Sequence, residues 1–297
     1  MALNVSFLQD FWTQSALFWN NASSLLKVLL FFAVWLGCWL PIALPIAIAV
    51  KWQPAQPITL SQKLPLLASL YLIAPLLIGG SSALTGETFA HLGLPWQIGV
   101  MRSLGLGLGI GAIGLLSAFA LQRCWGWLEA SAPLSLKTAR TVFLTLLLGL
   151  GVGGVEELVF RGFLLNQLRQ DYSIGWAGAI ASLIFALLHL VWEGRQNLPQ
   201  MPGLWLMGIA LVLARSVDGG NLGLAWGLHA GWIWAIASLD SLQVLRYTGR
   251  VPEWITGWGG QPLAGAIGVV FMGLVATVMT LLLQSSTEFR IFEGGSL

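Results

Sequence analysis

The chain has 297 residues, of which 57% are hydrophobic and only 9% are Asp, Glu, Lys or Arg. Soluble domains contain roughly 25% charged residues, so this composition and a mean hydropathy of +0.80 exclude an ordinary soluble domain. They predict an integral membrane protein, and the net charge of +2 without a basic cluster gives no indication of a nucleic-acid partner.

Residues 1–24 predict an amphipathic helix that lies at the membrane surface. Large apolar side chains recur there at roughly helical spacing with polar residues between them, at Leu8, Phe11, Trp12, Phe18 and Trp19. Such a helix buries its apolar face in the interface without crossing the bilayer. Because no Lys or Arg precedes Lys27, attraction to anionic lipid is not its basis.

The uncharged stretches of the chain predict about eight transmembrane helices, because a helix needs about 20 residues to cross the hydrocarbon core. Seven of these stretches are close to that length or longer, at 28–50, 64–86, 103–122, 172–192, 196–214, 219–239 and 263–283. The fourth helix in chain order has only residues 141–155 free of charge. It must therefore carry Glu156 and Glu157 into the membrane or its boundary.

We predict an all-α polytopic bundle, because every backbone N–H and C=O group in lipid needs a partner within the protein. The expected parts are the interfacial helix at 1–24, transmembrane helices 1–3 at 25–139, a catalytic bundle of helices 4–8 at 140–284 and a C-terminal tail at 285–297. Cys38 and Cys124 lie far apart in or beside apolar spans, which favours buried free thiols over a metal or redox pair.

The stretch from Gly109 to Gly114 matches the GxGxxG spacing of a dinucleotide-binding loop. No strand precedes it and no acidic residue follows at the distance of a ribose contact, so the match is weak. Gly105 and Gly109, and the offset pair Gly107 and Gly111, fit the small-xxx-small pattern by which membrane helices pack closely. The stretch therefore indicates helix packing.

A small set of ionisable side chains falls within the predicted spans or one turn away, at Glu156, Glu157, Arg161, His189 and His229. An acidic residue near the bilayer centre costs roughly 2.5–3.5 kcal/mol and usually marks function. Glu157 and Arg161 are four residues apart on one helical face, whereas Glu156 projects about 100° away and is free to face a cavity. One polar cavity shared by the fourth, fifth and seventh predicted helices would accommodate the whole set.

Two kinds of chemistry fit these side chains. A carboxylate that accepts a proton, together with imidazoles that donate to a developing oxyanion, can direct water at an amide. Alternatively, Glu156, His189 and His229 could bind a divalent metal such as Zn²⁺. Purely structural roles are a third possibility: an interhelix ion pair of Glu157 with Arg161, a boundary pair of His189 with Glu193, and an interhelical hydrogen bond of His229.

The order and spacing of these residues resemble the CAAX-protease and bacteriocin-processing family, known as CPBP or Abi. The matching motifs are Glu156-Glu157-xxx-Arg161, Phe185-xxx-His189 and a histidine in a later span, His229. The resemblance covers roughly residues 141–240 and implies an intramembrane endopeptidase for membrane-associated or lipidated, CAAX-like substrates. It also implies that Glu156 activates water, that Glu157 assists or is held by Arg161, and that the two histidines position water and stabilise the oxyanion. It leaves metal dependence open.

The sequence departs from the family at one position. Asn or Asp often stands four residues after the last histidine, where this chain has Ile233. Asn166, Ser238 or a backbone group could supply the missing donor. The departure also motivates an alternative, a non-proteolytic scaffold or assembly factor for a partner membrane complex. A transporter would predict two related halves, and no convincing internal repeat is found.

Overall fold

The computed structural model describes residues 5–53, 56, 58–130 and 136–294. Its α-helices are α1 (Val5–Asn21), α2 (Ser24–Ala49), α3 (Leu60–Thr85), α4 (Ile98–Cys124), α5 (Leu136–Glu156), α6 (Leu165–Leu168), α7 (Ile174–Glu193), α8 (Met201–Val217), α9 (Gly223–Ser241), α10 (Glu253–Thr256) and α11 (Ala266–Gly294). A π-helical segment, Glu157–Leu164, joins α5 to α6 without a break. Short 3₁₀ turns occupy Arg195–Gln200, Trp258–Gly260 and Pro262–Ala264.

Seven stretches of helix in the described part of the chain are long and apolar enough to cross a membrane. They lie at Ser24–Ala49, Ser61–Ser82, Ile98–Cys124, Thr138–Leu168, Ile174–Trp192, Arg195–Val217 and Ala266–Ser285. The predicted all-α polytopic bundle is therefore confirmed. The remaining helix predicted at 219–239 forms as α9, but its glycines, tryptophans and His229 make it less apolar than the other seven.

A two-stranded antiparallel sheet lies outside these spans, and the sequence analysis did not predict it. β1 (Leu128–Ala130) pairs with β2 (Leu245–Tyr247), with Leu128 opposite Tyr247 and Glu129 opposite Arg246. The strands tie the segment after α4 to the segment after α9. Their Glu129–Arg246 ion pair of 3.0 Å is exposed, and such surface pairs contribute little to stability.

Helices α4 and α9 pack backbone to backbone through glycine. A Cβ atom built on Gly107 would lie 2.5 Å from the Leu224 carbonyl oxygen, and one on Gly227 would lie 2.2 Å from the Leu104 carbonyl oxygen. Gly105 and Gly109 have open space at the corresponding position. The predicted small-residue packing is thus present for Gly107 and its partner Gly111, and the prediction was wrong for Gly105 and Gly109. This close contact sets the position of α9, which carries His229.

The two ends of the chain follow the prediction in part. α1 forms, and its Trp19 ring packs 6.4 Å from Phe163 of the π-helical segment; its place at the membrane surface stays a prediction. α11 extends as helix through most of the predicted tail, to Gly294, while 295–297 lie outside the described residues. Cys38 and Cys124 are exposed on the protein surface rather than buried, because they lie on helix faces turned away from the bundle.

Candidate active site

The π-helical segment supplies the centre of the site. All of its residues, Glu157–Leu164, are buried. π-Helices are rare and occur frequently at functional sites. Helix α8 holds this segment in place, since Nη1 of its Arg215 donates a hydrogen bond to the Arg161 carbonyl oxygen. Nε of the same buried Arg215 donates to the Gly220 carbonyl oxygen at 2.9 Å, just before α9 begins.

Glu157 is held by two partners on a single oxygen. Its Oε1 lies 2.9 Å from Nη1 of Arg161 and 2.8 Å from Nδ1 of His229. Glu157 and Arg161 are both 0% exposed, so the predicted contact between them is present in a fully buried setting. Glu157 Oε2 and Arg161 Nη2 have no hydrogen-bond partner among the described residues. These buried polar atoms remain available to a bound water molecule or a substrate group.

Glu156 faces the same histidine from its other side. Its Oε2 lies 3.5 Å from Nε2 of His229, and its side chain is 12% exposed. His229 therefore stands between two carboxylates, with one ring nitrogen directed at each. The hydroxyl of Tyr71, in α3, donates a hydrogen bond to Oε1 of Glu156. The sequence analysis missed Tyr71, although a tyrosine near the middle of a mostly apolar span was a signal that could have found it.

His189 lies beside this cluster rather than within it. Its Nδ1 donates to the Phe185 carbonyl oxygen of its own helix at 2.9 Å. The Phe185 ring connects the parts of the site, with its centroid 4.7 Å from the His189 ring, 5.9 Å from the His229 ring and 4.5 Å from Cζ of Arg161. The structure therefore brings four of the five predicted residues into direct contact and places the fifth next to them. The alternative pair with Glu193 involves a side chain outside those described.

The predicted metal set does not assemble. Within the described ranges, no group of three His, Cys, Asp or Glu side chains is arranged to hold a metal ion. His189 is turned to its own backbone, and Glu156 is bound by the Tyr71 hydroxyl. The alternative of a zinc site built from Glu156, His189 and His229 stays a prediction, and the mechanism below contains no metal step.

The groups expected to replace the polar residue missing at Ile233 are engaged elsewhere. Nδ2 of Asn166 donates to the His91 carbonyl oxygen at 3.1 Å, and the Ser238 hydroxyl lies 2.6 Å from that of Thr145. Neither contact reaches the cluster around His229. The additional polar group in the site is the Tyr71 hydroxyl, which approaches from another helix.

Fold and site together define a class: a multi-pass helical membrane protein with carboxylates, an arginine and a histidine gathered inside the bundle. Residues 138–235 match the family described as Type II CAAX prenyl endopeptidase Rce1-like. The resemblance to the CPBP family is thus confirmed over about a third of the chain, and it supports a CAAX-type intramembrane endopeptidase at the level of the family. No curated protein and no solved structure gives a significant match.

Proposed function

We propose that this protein is an intramembrane endopeptidase that hydrolyses a peptide bond in a membrane-associated or lipidated, CAAX-like protein. The observation that supports this most directly is the placement of His229 between Glu156 and the buried Glu157–Arg161 pair. The family match supports the same reaction class and a prenylated substrate. It does not favour the alternative of a non-proteolytic scaffold for a membrane complex.

Glu157 orients His229 in this mechanism. A carboxylate accepts hydrogen bonds, so Nδ1 of His229 carries the proton that Oε1 of Glu157 receives at 2.8 Å. In the neutral ring Nε2 is then an acceptor directed towards Oε2 of Glu156, 3.5 Å away. A water molecule can donate to both acceptors from a position beside the line that joins them, since a separation of 3.5 Å leaves no room for it between them. A buried carboxylate that fixes a histidine tautomer in this way is a recurrent catalytic device.

Glu156 acts as the general base on that water. The water oxygen attacks the carbonyl carbon of the scissile bond as one of its protons passes to Glu156, and the carbonyl π electrons move to the oxygen. The tetrahedral intermediate then collapses, the C–N bond breaks, and the proton held by Glu156 passes to the departing amine. General base catalysis requires this carboxylate to lie within hydrogen-bond reach of the water.

His189 would act on the substrate oxygen. Because its Nδ1 is occupied by the Phe185 carbonyl, only Nε2 is free to meet a ligand. As an imidazolium it would donate from Nε2 to the developing oxyanion, where a fixed donor in a low dielectric is effective. The Phe185 ring packs against both imidazole rings and so holds His189 in a fixed orientation relative to His229.

The test compares purified wild type with Glu156→Gln on a prenylated CAAX-type peptide and on the same peptide without the lipid. We expect wild type to cleave the prenylated peptide and Glu156→Gln to lose about 100-fold or more in rate, as is typical when a general base is removed. Glu129→Gln is the matched control, because Glu129 pairs with Arg246 on the exposed sheet. Equal rates in wild type and Glu156→Gln would refute the mechanism.

A further inference from the structure

Tyr71 reaches the site from a helix that carries none of the sequence motifs. It lies in α3, within the span Ser61–Ser82, whereas the family match covers only 138–235. Its hydroxyl donates to Oε1 of Glu156. A hydroxyl in an apolar setting costs free energy unless it is hydrogen-bonded, so this contact gives Tyr71 a specific reason to face the cluster.

The two glutamates of the site are held very differently. Glu157 is 0% exposed and is bound by both Arg161 and His229. The hydrogen bonds found for the described residues give Glu156 one donor, the Tyr71 hydroxyl, and its contact with His229 is longer, at 3.5 Å. The carboxylate proposed to move the proton therefore depends on Tyr71 for its orientation.

Helix α2 holds α3 in place just before this contact. Nε1 of Trp35 donates to the Leu70 carbonyl oxygen at 3.0 Å, and Nε1 of Trp39 donates to the Ser69 hydroxyl at 3.0 Å. These bonds hold the residues immediately before Tyr71. The hydroxyl is thus presented to Glu156 from a rigid element, as a precisely oriented site requires.

We propose that Tyr71 is a positioning residue for the catalytic base. By holding Oε1 of Glu156, it directs Oε2 towards the water site beside Nε2 of His229. This inference rests on the proposed function, because it assigns Tyr71 a role through Glu156. A misplacement of about 1 Å in a reacting group can cost about 100-fold in rate, so loss of the hydroxyl acts on turnover rather than on substrate binding.

The test uses the full chain with Tyr71→Phe, which removes only the hydroxyl. Tyr247→Phe is the matched control, because the Tyr247 hydroxyl is buried, has no hydrogen-bond partner among the described residues and lies in β2, outside the spans. On the prenylated peptide, we expect Tyr71→Phe to lower kcat by about 10- to 100-fold, to leave KM within about twofold and to displace the acidic limb of the pH–rate profile. Tyr247→Phe should match wild type in all three.

An infrared measurement gives a readout that does not need turnover. The carboxylate band of Glu156 is assigned by subtracting the Glu156→Gln spectrum, and it should shift in Tyr71→Phe and not in Tyr247→Phe. An unshifted band in Tyr71→Phe, wild-type kcat, or an equal loss of rate at every pH together with a lower melting temperature would each overturn the role of Tyr71. Wild-type activity in Glu156→Gln would instead overturn the proposed function, so the two failures are distinguishable.

Discussion

Nδ1 of His229 and Oε1 of Glu157 lie 2.8 Å apart, and the same oxygen lies 2.9 Å from Nη1 of Arg161. One buried atom therefore joins helix α9 to the π-helical segment. Because all three residues are at most 2% exposed, loss of any one side chain leaves buried polar groups of its partners unpaired. Stability and chemistry are coupled at this point.

The first prediction concerns the Glu157–Arg161 pair. Glu157→Gln alone leaves the Arg161 guanidinium buried without its counter-charge. Arg161→Met alone leaves the Glu157 carboxylate buried without its counter-charge. Removing one partner of a buried pair costs about 3–5 kcal/mol. The double variant Glu157→Gln/Arg161→Met should be destabilised by less than the sum of the two single variants. Unfolding in detergent monitored by circular dichroism measures this, and strictly additive losses would contradict the coupling.

The second prediction concerns the α4–α9 contact. Gly227→Ala puts a Cβ atom 2.2 Å from the Leu104 carbonyl oxygen, so the two helices must separate and His229 must move with α9. We expect a loss of about 1–3 kcal/mol from overpacking and reduced peptide cleavage. Gly109→Ala is the matched control on α4, since it has open space, and it should leave both properties unchanged. Equal effects of the two substitutions would show that the glycine contact does not position α9.

The third prediction concerns Arg215, which is 6% exposed and bonds to two backbone carbonyls. Arg215→Met removes both bonds, one of them to the π-helical segment. Hydrogen bonds from a charged donor are worth about 1.5–3 kcal/mol each, so a lower melting temperature and slower cleavage should follow. Arg215→Lys should recover little, because an ammonium group does not reproduce the planar fork. Arg246→Met, on the exposed sheet, is the control and should behave as wild type.

The fourth prediction concerns alkaline pH. Burial raises the pKa of Tyr247 from its usual 10.0 to about 12. Between these values the unfolded chain releases the phenolic proton and the folded chain keeps it, so stability falls as pH rises. The contribution of the Tyr247 phenol to folding stability is complete below about pH 10 and is lost as pH passes about 12.

Tyr247→Phe removes this titration. The stability of the variant relative to wild type should be constant up to about pH 10 and should rise above it, because other alkaline groups cancel in the comparison. Near neutral pH the variant should be no less stable, since the buried hydroxyl has no hydrogen-bond partner in the part of the chain that the structure describes. Melting temperatures of the two proteins across this pH range measure the difference, and parallel curves would contradict the prediction.

Hydropathy and local spacing account for what the sequence predicted well. Length and apolar composition determine which segments can cross a bilayer, so every predicted span is found as helix, and seven of these helices are long and apolar enough to cross a membrane. The four-residue spacing of Glu157 and Arg161 places them on one face of a single helix, and they form an ion pair of 2.9 Å. These features depend on the local chain and on the lipid solvent, both of which can be read from residue types.

Contacts between distant segments account for what the sequence did not predict. The pairing of β1 with β2 joins distant segments. The π-helical register and the bond of His189 to the Phe185 carbonyl are local, but no pattern of residue types indicates them. The expected bundle of residues 140–284 also omitted α3, which supplies Tyr71. Tyr71 and Glu156 are separated by 85 residues, and nothing in either neighbourhood encodes their meeting.

The sequence by itself determined that this is a helical membrane protein and which ionisable residues it retains near the membrane, because apolar length and residue type can be read without knowing the fold. Only the tertiary structure decided which of those residues contact one another. It placed His229 between Glu156 and Glu157, left His189 beside the cluster with its Nδ1 bonded to its own helix, and brought the Tyr71 hydroxyl to Glu156. The physical reason is that these contacts arise from close packing between helices, such as the glycine contact of α4 with α9, which fixes positions that no local spacing specifies.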